Sequence, residues 1–324
     1  MALALPEVLR IEPASSCNLA CIHCPTGTLD LERGIMTDEV FRAIQRDFVS
    51  LRDSVRVVVM YHGGEPLLNP RLGEMVRECQ KGLRIEKLKL VTNGLLLDPP
   101  RAEELISAGV TEFQISLDGA SPEENEAIRI GASTEKILSN LCHLVSLAAG
   151  NSFAVEIVNT QLLNPKVELP ARSHWITDLV QQRTGLIPKV QQGTARRWPR
   201  MGDRGVFAVE APTRSGGPYR SCEHTTETLT VRADGTVVPC CYDLMSDLAM
   251  GNVLKESIPD IWLNEQYRGL RGAIGDGTPP KPCDKCAVLI GGQELAWRTV
   301  SVPVGLRRLR RSELSKVAEL EVKS

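Results

Sequence analysis

Two neighbouring stretches near the start decide the fold: the apolar run Val8–Pro13, and then Cys17-Asn-Leu-Ala-Cys21-Ile-His-Cys24. The first has the length and composition of a buried strand. The second places three thiols within eight residues, and a loop that short converges its side chains on one point. A zinc ion would normally want a fourth protein ligand nearby, and His23, adjacent to Cys24, cannot easily point to the same ion. An iron–sulfur cluster held by three cysteines leaves one iron open to another molecule, which is a reason to build such a loop. A zinc loop, or three incidental cysteines in a turn, are the alternatives at this point.

Outward from that loop, strand-like runs alternate with amphipathic ones. The strand-like runs are Val8–Pro13, Ser54–Tyr61, Lys87–Thr92, Glu112–Leu117, Phe153–Val158 and Leu186–Gln191. Between them lie Thr37–Leu51, with Thr37 as N-cap ahead of Asp38 and Glu39, then Arg71–Gly82, Arg101–Ala108, Ser121–Arg129 and Thr134–Ala149. Six strand–helix alternations predict βαβ units and a parallel sheet, closed or partly closed as a barrel. Residues 193–221 are rich in Gly, Pro and Arg and read as a linker. A hairpin follows at Thr228–Val238, with Asp234-Gly235 as its turn. Then come a helix near Ile258–Arg271, a Pro-rich cysteine loop and a basic tail. The expected domains are 1–200, 201–295 and a tail, 296–324.

The 324 residues carry 38 basic and 40 acidic side chains, so the net charge of −2 gives no reason to expect a polyanion-binding surface. The arginines of Leu306-Arg-Arg-Leu-Arg-Arg311 lack interleaved aromatics and read as a solvated helix face, so no nucleic acid is expected. No window reaches the roughly 18 apolar residues of a spanning helix, and Met1–Arg10 lacks the features of a secretory signal. No membrane association is expected, and the expected location is cytoplasmic. There ten cysteines mean metal or redox chemistry more often than disulfides. Cys79 and Cys142 fall on predicted helices and read as packing residues.

Cys222, Cys240, Cys283 and Cys286 form a second constellation. A hairpin and a Cys-x2-Cys turn can bring four thiols together, and on spacing alone zinc and iron–sulfur both remain open.

The first loop, Cys-x3-Cys-x2-Cys after a first strand, resembles the signature of the radical S-adenosylmethionine (radical SAM) enzymes. That resemblance implies a partial (β/α)6 TIM-like barrel. It also implies a four-iron, four-sulfur cluster on Cys17, Cys21 and Cys24, with S-adenosylmethionine on the open iron. Tyr61-His-Gly63-Gly64-Glu65-Pro66 is similar to the family's GGE motif, which approaches the methionyl group. A bulky residue at Gly64 is therefore expected to crowd S-adenosylmethionine and spare the cluster. The resemblance further implies cofactor contacts from Ser116 and Asp118 at the fourth strand's end, from Arg129, and from Asn159 or Thr160 after the fifth. Thr92-Asn93-Gly94 is another family-like turn, with a structural role expected. His23 stands where the family usually has an aromatic that touches adenine. The pattern Cys-x12-Gly-x4-Cys, then Gly251-Asn252-Val253, Trp262 and Cys-x2-Cys resembles the SPASM/twitch extension. With no cysteine between 286 and 324, the shorter twitch form is implied, a small β-hairpin/helix domain with one auxiliary cluster.

These readings predict a radical SAM enzyme carrying two four-iron clusters, about eight irons per chain. It would act on a small-molecule, natural-product or sugar-like substrate, with a peptide as the alternative, and draw electrons from a partner such as flavodoxin or ferredoxin. Oxidation is the expected reaction. Epimerisation, with Cys241 as hydrogen donor, and peptide maturation are the alternatives within the class. A non-catalytic iron–sulfur electron carrier is the alternative outside it. Arg196, Arg197 and Arg200 in the linker could meet an anionic substrate.

Overall fold

The computed structural model describes residues 4–161, 175–194, 221–286, 289 and 298–301. In chain order the strands are β1 (Val8–Ile11), β2 (Ala20–Cys21), β3 (Val57–Met60), β4 (Lys87–Thr92), β5 (Glu112–Ser116), β6 (Arg129–Ile130), β7 (Ala154–Gln161) and β8 (Lys189–Thr194). β9 (Thr228–Val231), β10 (Thr236–Val238), β11 (Gly251–Asn252) and β12 (Arg298–Ser301) complete the described set. All six predicted barrel strands are present, and β1, β3, β4, β5, β7 and β8 pair in parallel in that order. The last lies slightly later than expected, so part of the predicted linker is strand; residues 195–220, with Arg196, Arg197 and Arg200, lie outside the described residues.

Helices cross between the strands where the amphipathic stretches put them. Thr37 caps Asp38–Arg46 by accepting from the Val40 amide at 3.3 Å. Ser121 and Ser133 cap Pro122–Ile128 and Thr134–Ala148 in the same way. The side chains of Leu9, Ile11, Val58, Met60, Leu88, Leu90, Phe113 and Ile115 enter the common core. Strand geometry then turns Arg10, Lys89, Gln114 and Ser116 to the opposite face, where they are half-buried. On that face Lys87, Glu112, Lys89, Glu156 and Lys189 form an alternating chain of ion pairs at 2.8, 2.8, 3.5 and 2.6 Å. The chain lines the N-terminal half of β4, β5, β7 and β8, opposite the strand ends where barrel enzymes place their chemistry.

The hairpin does not stand apart from the barrel. β9 pairs in parallel with β1, Arg10 opposite Thr230, so the sheet runs on into β10 and β11. Sequence reading placed the hairpin in the following domain and did not foresee that join. Further clamps come from Asp47, whose carboxylate accepts from the Ile258 amide at 2.7 Å, and from Trp262, whose indole donates to the Ala4 carbonyl at 2.8 Å. The single helix expected near Ile258–Arg271 is two, Ile258–Leu263 and Glu265–Asp276. Asn264 between them ends the first and caps the second, accepting from the Tyr267 amide at 2.9 Å and donating to the Met250 carbonyl at 2.7 Å.

Candidate radical and auxiliary cluster sites

The first cysteine loop is held by its neighbours at several points. Cys17 follows β1, Cys21 ends β2, and Cys24 precedes the short helix Pro25–Thr28. β2 pairs antiparallel with β6, which sets Cys21 opposite Arg129. A Cβ on Gly27 would lie 2.6 Å from the backbone of Ala20 and Cys21, so the loop closes on itself with no room for a side chain. Arg33 donates to the carbonyls of Ser15, Pro25 and Leu29 at 3.5, 3.3 and 3.1 Å. Burial raises the pKa of Cys17, and pushes Cys21 up to about 12 against the opposing charge of Arg129. Both also feel the charge of Cys24, so the three thiols share one neighbourhood.

Gly63-Gly64-Glu65 lies directly across the approach to that loop. The Gly63 amide donates to Glu12 Oε1 at 2.8 Å, and its carbonyl accepts from the Thr26 hydroxyl. A Cβ on Gly64 would stand 2.4 Å from the carbonyl oxygens of both Ala14 and Ser16. The expectation that bulk at Gly64 spares the cluster is thereby corrected, because the clash falls on the backbone leading into Cys17. Glu65 is a buried knot. Its carboxylate accepts from the Leu67 amide, the Thr92 hydroxyl and the Asn93 amide at 3.1, 2.7 and 2.8 Å. Burial outweighs those donors and raises its pKa. Asn93 in turn donates to Asn18 Oδ1 at 2.8 Å, so Thr92-Asn93-Gly94 braces the cysteine loop, the structural role expected of it.

Asp118 and Arg129 were expected as separate cofactor contacts. They are instead paired with each other, Nε to Oδ2 2.7 Å, with Asp118 fully buried and Arg129 nearly so. Burial alone would lower the Arg129 pKa, but the charge of Asp118 reverses that and raises it. The pair ties the fourth strand's end to β6 and so to Cys21. His23 approaches the same carboxylate, Nε2 to Oδ2 3.8 Å, while burial lowers its pKa. Its Nδ1 has no hydrogen-bond partner among the described residues. Asn159 is likewise a bolt rather than an exposed contact. It is fully buried, donates to the carbonyls of Leu117 and Gly119 at 2.9 Å each, and accepts from Gln192 at 3.0 Å. Ser116 stays half-buried at the C-terminal end of β5, where a ligand can meet it.

The second constellation is gathered from afar. Cys222 precedes the helix Glu223–Thr226, Cys240 follows β10, and Cys283 and Cys286 close one turn, the Cys286 amide donating to the Cys283 carbonyl at 3.1 Å. Burial pushes Cys283 up to about 12, with Cys286 and Cys222 adding to it, and raises Cys240 well above the thiol range with Cys283 contributing. The four thiols therefore occupy one region. Cys241 also bears with its charge on Cys240 and Cys222. Its sulfur lies 3.9 Å from His224 Nε2, and its charge reaches Tyr61 together with those of Cys24 and Cys17. Burial opposes ionisation of Cys241, yet His224 and then Arg10 outweigh it and bring the thiol down to about 7. Cys79 is buried and Cys142 packs against the same core, as expected. Sequence reading missed His224 and Arg10, which carry no motif, and gave Tyr61 no role beyond opening the Gly63-Gly64-Glu65 stretch.

Both donor sets are all-thiol, the chemistry that iron–sulfur clusters select. Among the described residues no three His, Cys, Asp or Glu side chains are gathered as ligands of one metal ion would be. Cys17, Cys21 and Cys24 fit the cluster that leaves an iron for S-adenosylmethionine, and Cys222, Cys240, Cys283 and Cys286 fit a fully ligated one. Among the described residues no helix is long and apolar enough to cross a membrane.

Comparison with known proteins supplies the family. Residues 11–149 match the model of the radical SAM superfamily, and residues 222–287 that of the SPASM iron–sulfur cluster-binding domain. A GTP 3',8-cyclase of Clostridium acetobutylicum is 26% identical, over 81% of this chain and 91% of its own length. A tungsten-containing aldehyde ferredoxin oxidoreductase cofactor-modifying protein of Pyrococcus furiosus is 28% identical, covering 87% of each chain. Among solved structures, BtrN in complex with AdoMet and 2-DOIA shares the fold at a TM-score of 0.58 and 18% identity, covering 92% of this chain and 97% of that one. Polyhistidine-tagged anSMEcpe with bound AdoMet does so at 0.60 and 18%, covering 88% and 84%. The chain is a radical SAM enzyme with a C-terminal SPASM domain, a family architecture that holds S-adenosylmethionine and two four-iron, four-sulfur clusters.

Proposed function

We propose that the chain oxidises a carbon of a small-molecule substrate, removing one hydrogen atom, one proton and one electron. When bound, the two clusters and S-adenosylmethionine supply a 5′-deoxyadenosyl radical for the hydrogen abstraction and an acceptor for the electron. The observation that carries this reading is the second thiol set, four cysteines assembled from 222 to 286 on a hairpin that continues the barrel sheet through β1. Such a set holds a cluster without an open iron, suited to taking an electron rather than to binding a ligand. In this reading Cys17, Cys21 and Cys24 hold the radical-forming cluster. Glu65, Asn93 and the Asp118–Arg129 pair keep the loop rigid, and Ser116 and His23 meet the cofactor. The reductant is a flavodoxin- or ferredoxin-like partner. The named relatives include a cyclase and a cofactor-modifying protein, so the reading rests on the thiols and not on those names.

A second reading, epimerisation, draws on Cys241. Its thiol stands beside His224 and near Tyr61, where it could give a hydrogen atom to a substrate radical. Reduced holoenzyme incubated in deuterated water with a metabolite extract separates the two. Oxidation gives a product two hydrogens lighter, without solvent deuterium, in amounts matching 5′-deoxyadenosine, and Cys241→Ala stays active. A product of unchanged backbone mass carrying one deuterium, with Cys241→Ala inactive, overturns oxidation in favour of epimerisation.

A further inference from the structure

Arg10 stands at the seam between the two cysteine sites, and no carboxylate among the described residues pairs with it. It lies on β1, between β3 and β9, with Val59 and Thr230 as its register partners. Leu9 and Ile11 point into the core, so Arg10 and Glu12 share the opposite face. The guanidinium makes one long contact, Nη1 donating to Thr230 Oγ1 at 3.5 Å, and its buried Nε has no partner among the described residues.

The surrounding groups leave its charge uncompensated. Glu12, two residues on from Arg10 and on the same face, is already engaged. It accepts from the amides of Gly63 and Ala233 at 2.8 and 2.9 Å and lies 3.7 Å from Arg232 Nε. Glu12 is thus held by two amides and Arg232, not by Arg10. His62 is 1% exposed, and neither ring nitrogen has a hydrogen-bond partner among the described residues. Burial, with the charges of Arg10 and Arg232, keeps it neutral. The positive charge of Arg10 bears on His62 and Cys241. Arg10 lies on β1 where the barrel sheet passes into the hairpin that leads to Cys240. A half-buried, unpaired guanidinium is costly, and its fork matches an oxyanion in two parallel hydrogen bonds.

We propose that Arg10 binds an oxyanion of the substrate, a carboxylate or phosphate group, at the seam between the two cysteine sites. This rests on the enzymatic reading above, and it names the substrate class. The anion would anchor the substrate on β1, beside the neighbouring strand β3 that leads into Tyr61.

Inorganic phosphate is the probe, titrated by equilibrium dialysis into reconstituted holoenzyme carrying S-adenosylmethionine. Wild-type protein is expected to bind saturably, Arg10→Gln about tenfold more weakly or worse, and Arg10→Lys in between, because lysine keeps the charge but not the fork. Arg183→Gln, which removes an exposed arginine paired with Glu135, is expected to bind as wild type. Iron content checks that each variant holds its clusters. No saturable binding by the wild type, or equal affinity in Arg10→Gln, overturns the proposal. So does a shift in the auxiliary cluster's potential in Arg10→Gln with phosphate binding unchanged, which would assign the charge to the cluster. The titration needs no turnover. Its failure leaves the oxidation reading standing, and a failed product-mass test leaves the anion site standing.

Discussion

The two cysteine sites are built in opposite ways. The first uses three thiols within eight residues, and the fold's task is to stop that short loop from moving. Gly27, Arg33, Asn93 and the Asp118–Arg129 pair all bear on it from separate elements. The second draws its thiols from residues 222 to 286, and the fold's task is to bring them together at all. β9 beside β1, the Asp47 bond to Ile258 and the Asn264 double cap do so. A local site fails when its braces fail. A long-range site fails when the scaffold loosens.

Cysteine substitutions should break the comparison most sharply. The triple Cys17/Cys21/Cys24→Ala variant is expected to lose about four of about eight irons, and Cys283→Ala with Cys286→Ala the other four, as anaerobic iron and sulfide analysis would report. A wild-type protein with about four irons plus zinc would refute the second assignment.

Gly64→Val should come next. Its branched side chain meets the backbone of Ala14 to Ser16, so it should weaken S-adenosylmethionine binding and also empty the first cluster while the second stays loaded. The expected stability cost is about 1–3 kcal/mol. Full iron content with weakened cofactor binding would restore the simpler view that this turn only touches the ligand.

Glu65 offers a pH-dependent test of the same brace. Its pKa is raised in the folded state, so the native protein holds this proton more tightly than the unfolded chain does. Stability from this group is therefore complete below the ordinary glutamate range and declines as pH rises through the raised folded value. Glu65→Gln should flatten that part of the stability–pH curve measured by denaturant unfolding. An unchanged slope would show that Glu65 folds already ionised.

The smallest effect is expected at Asn264→Ala, which removes a cap and the bond to Met250 in the second region. A loss of about 1–2 kcal/mol is expected, with the first cluster unaffected. Loss of first-site iron in this variant would mean that the two regions unfold together.

What was legible in the sequence follows the same division. The first loop, the six barrel strands and the capped helices are local patterns, set by spacing, periodicity and hydroxyl caps, and all are found, the last strand slightly later than expected. Roles that depend on what lies across the molecule were less legible. Asp118 and Asn159 read as cofactor contacts from strand ends, and Arg129 from a resemblance; their partners within the fold, Arg129 with Asp118 beside β6 and Asn159 with Gln192 on β8, were not foreseen. Neither partner is near in sequence. The junction of β9 with β1 was also invisible, since a parallel pairing across 220 residues leaves no periodic trace. Cys222, Cys240, Cys283 and Cys286 were found only because cysteine is rare enough for its spacing to carry information at long range. Arg10 and His224 stand in no spaced pattern and gave no such signal.

The independence of the two sites is tested most directly by 5′-deoxyadenosine release from chemically reduced protein supplied with S-adenosylmethionine. The account predicts release from Cys283→Ala with Cys286→Ala, whose first site is intact, and none from Cys17→Ala. Release that persists in Cys17→Ala, or that vanishes along with the second-site cysteines while first-site iron is retained, would contradict it.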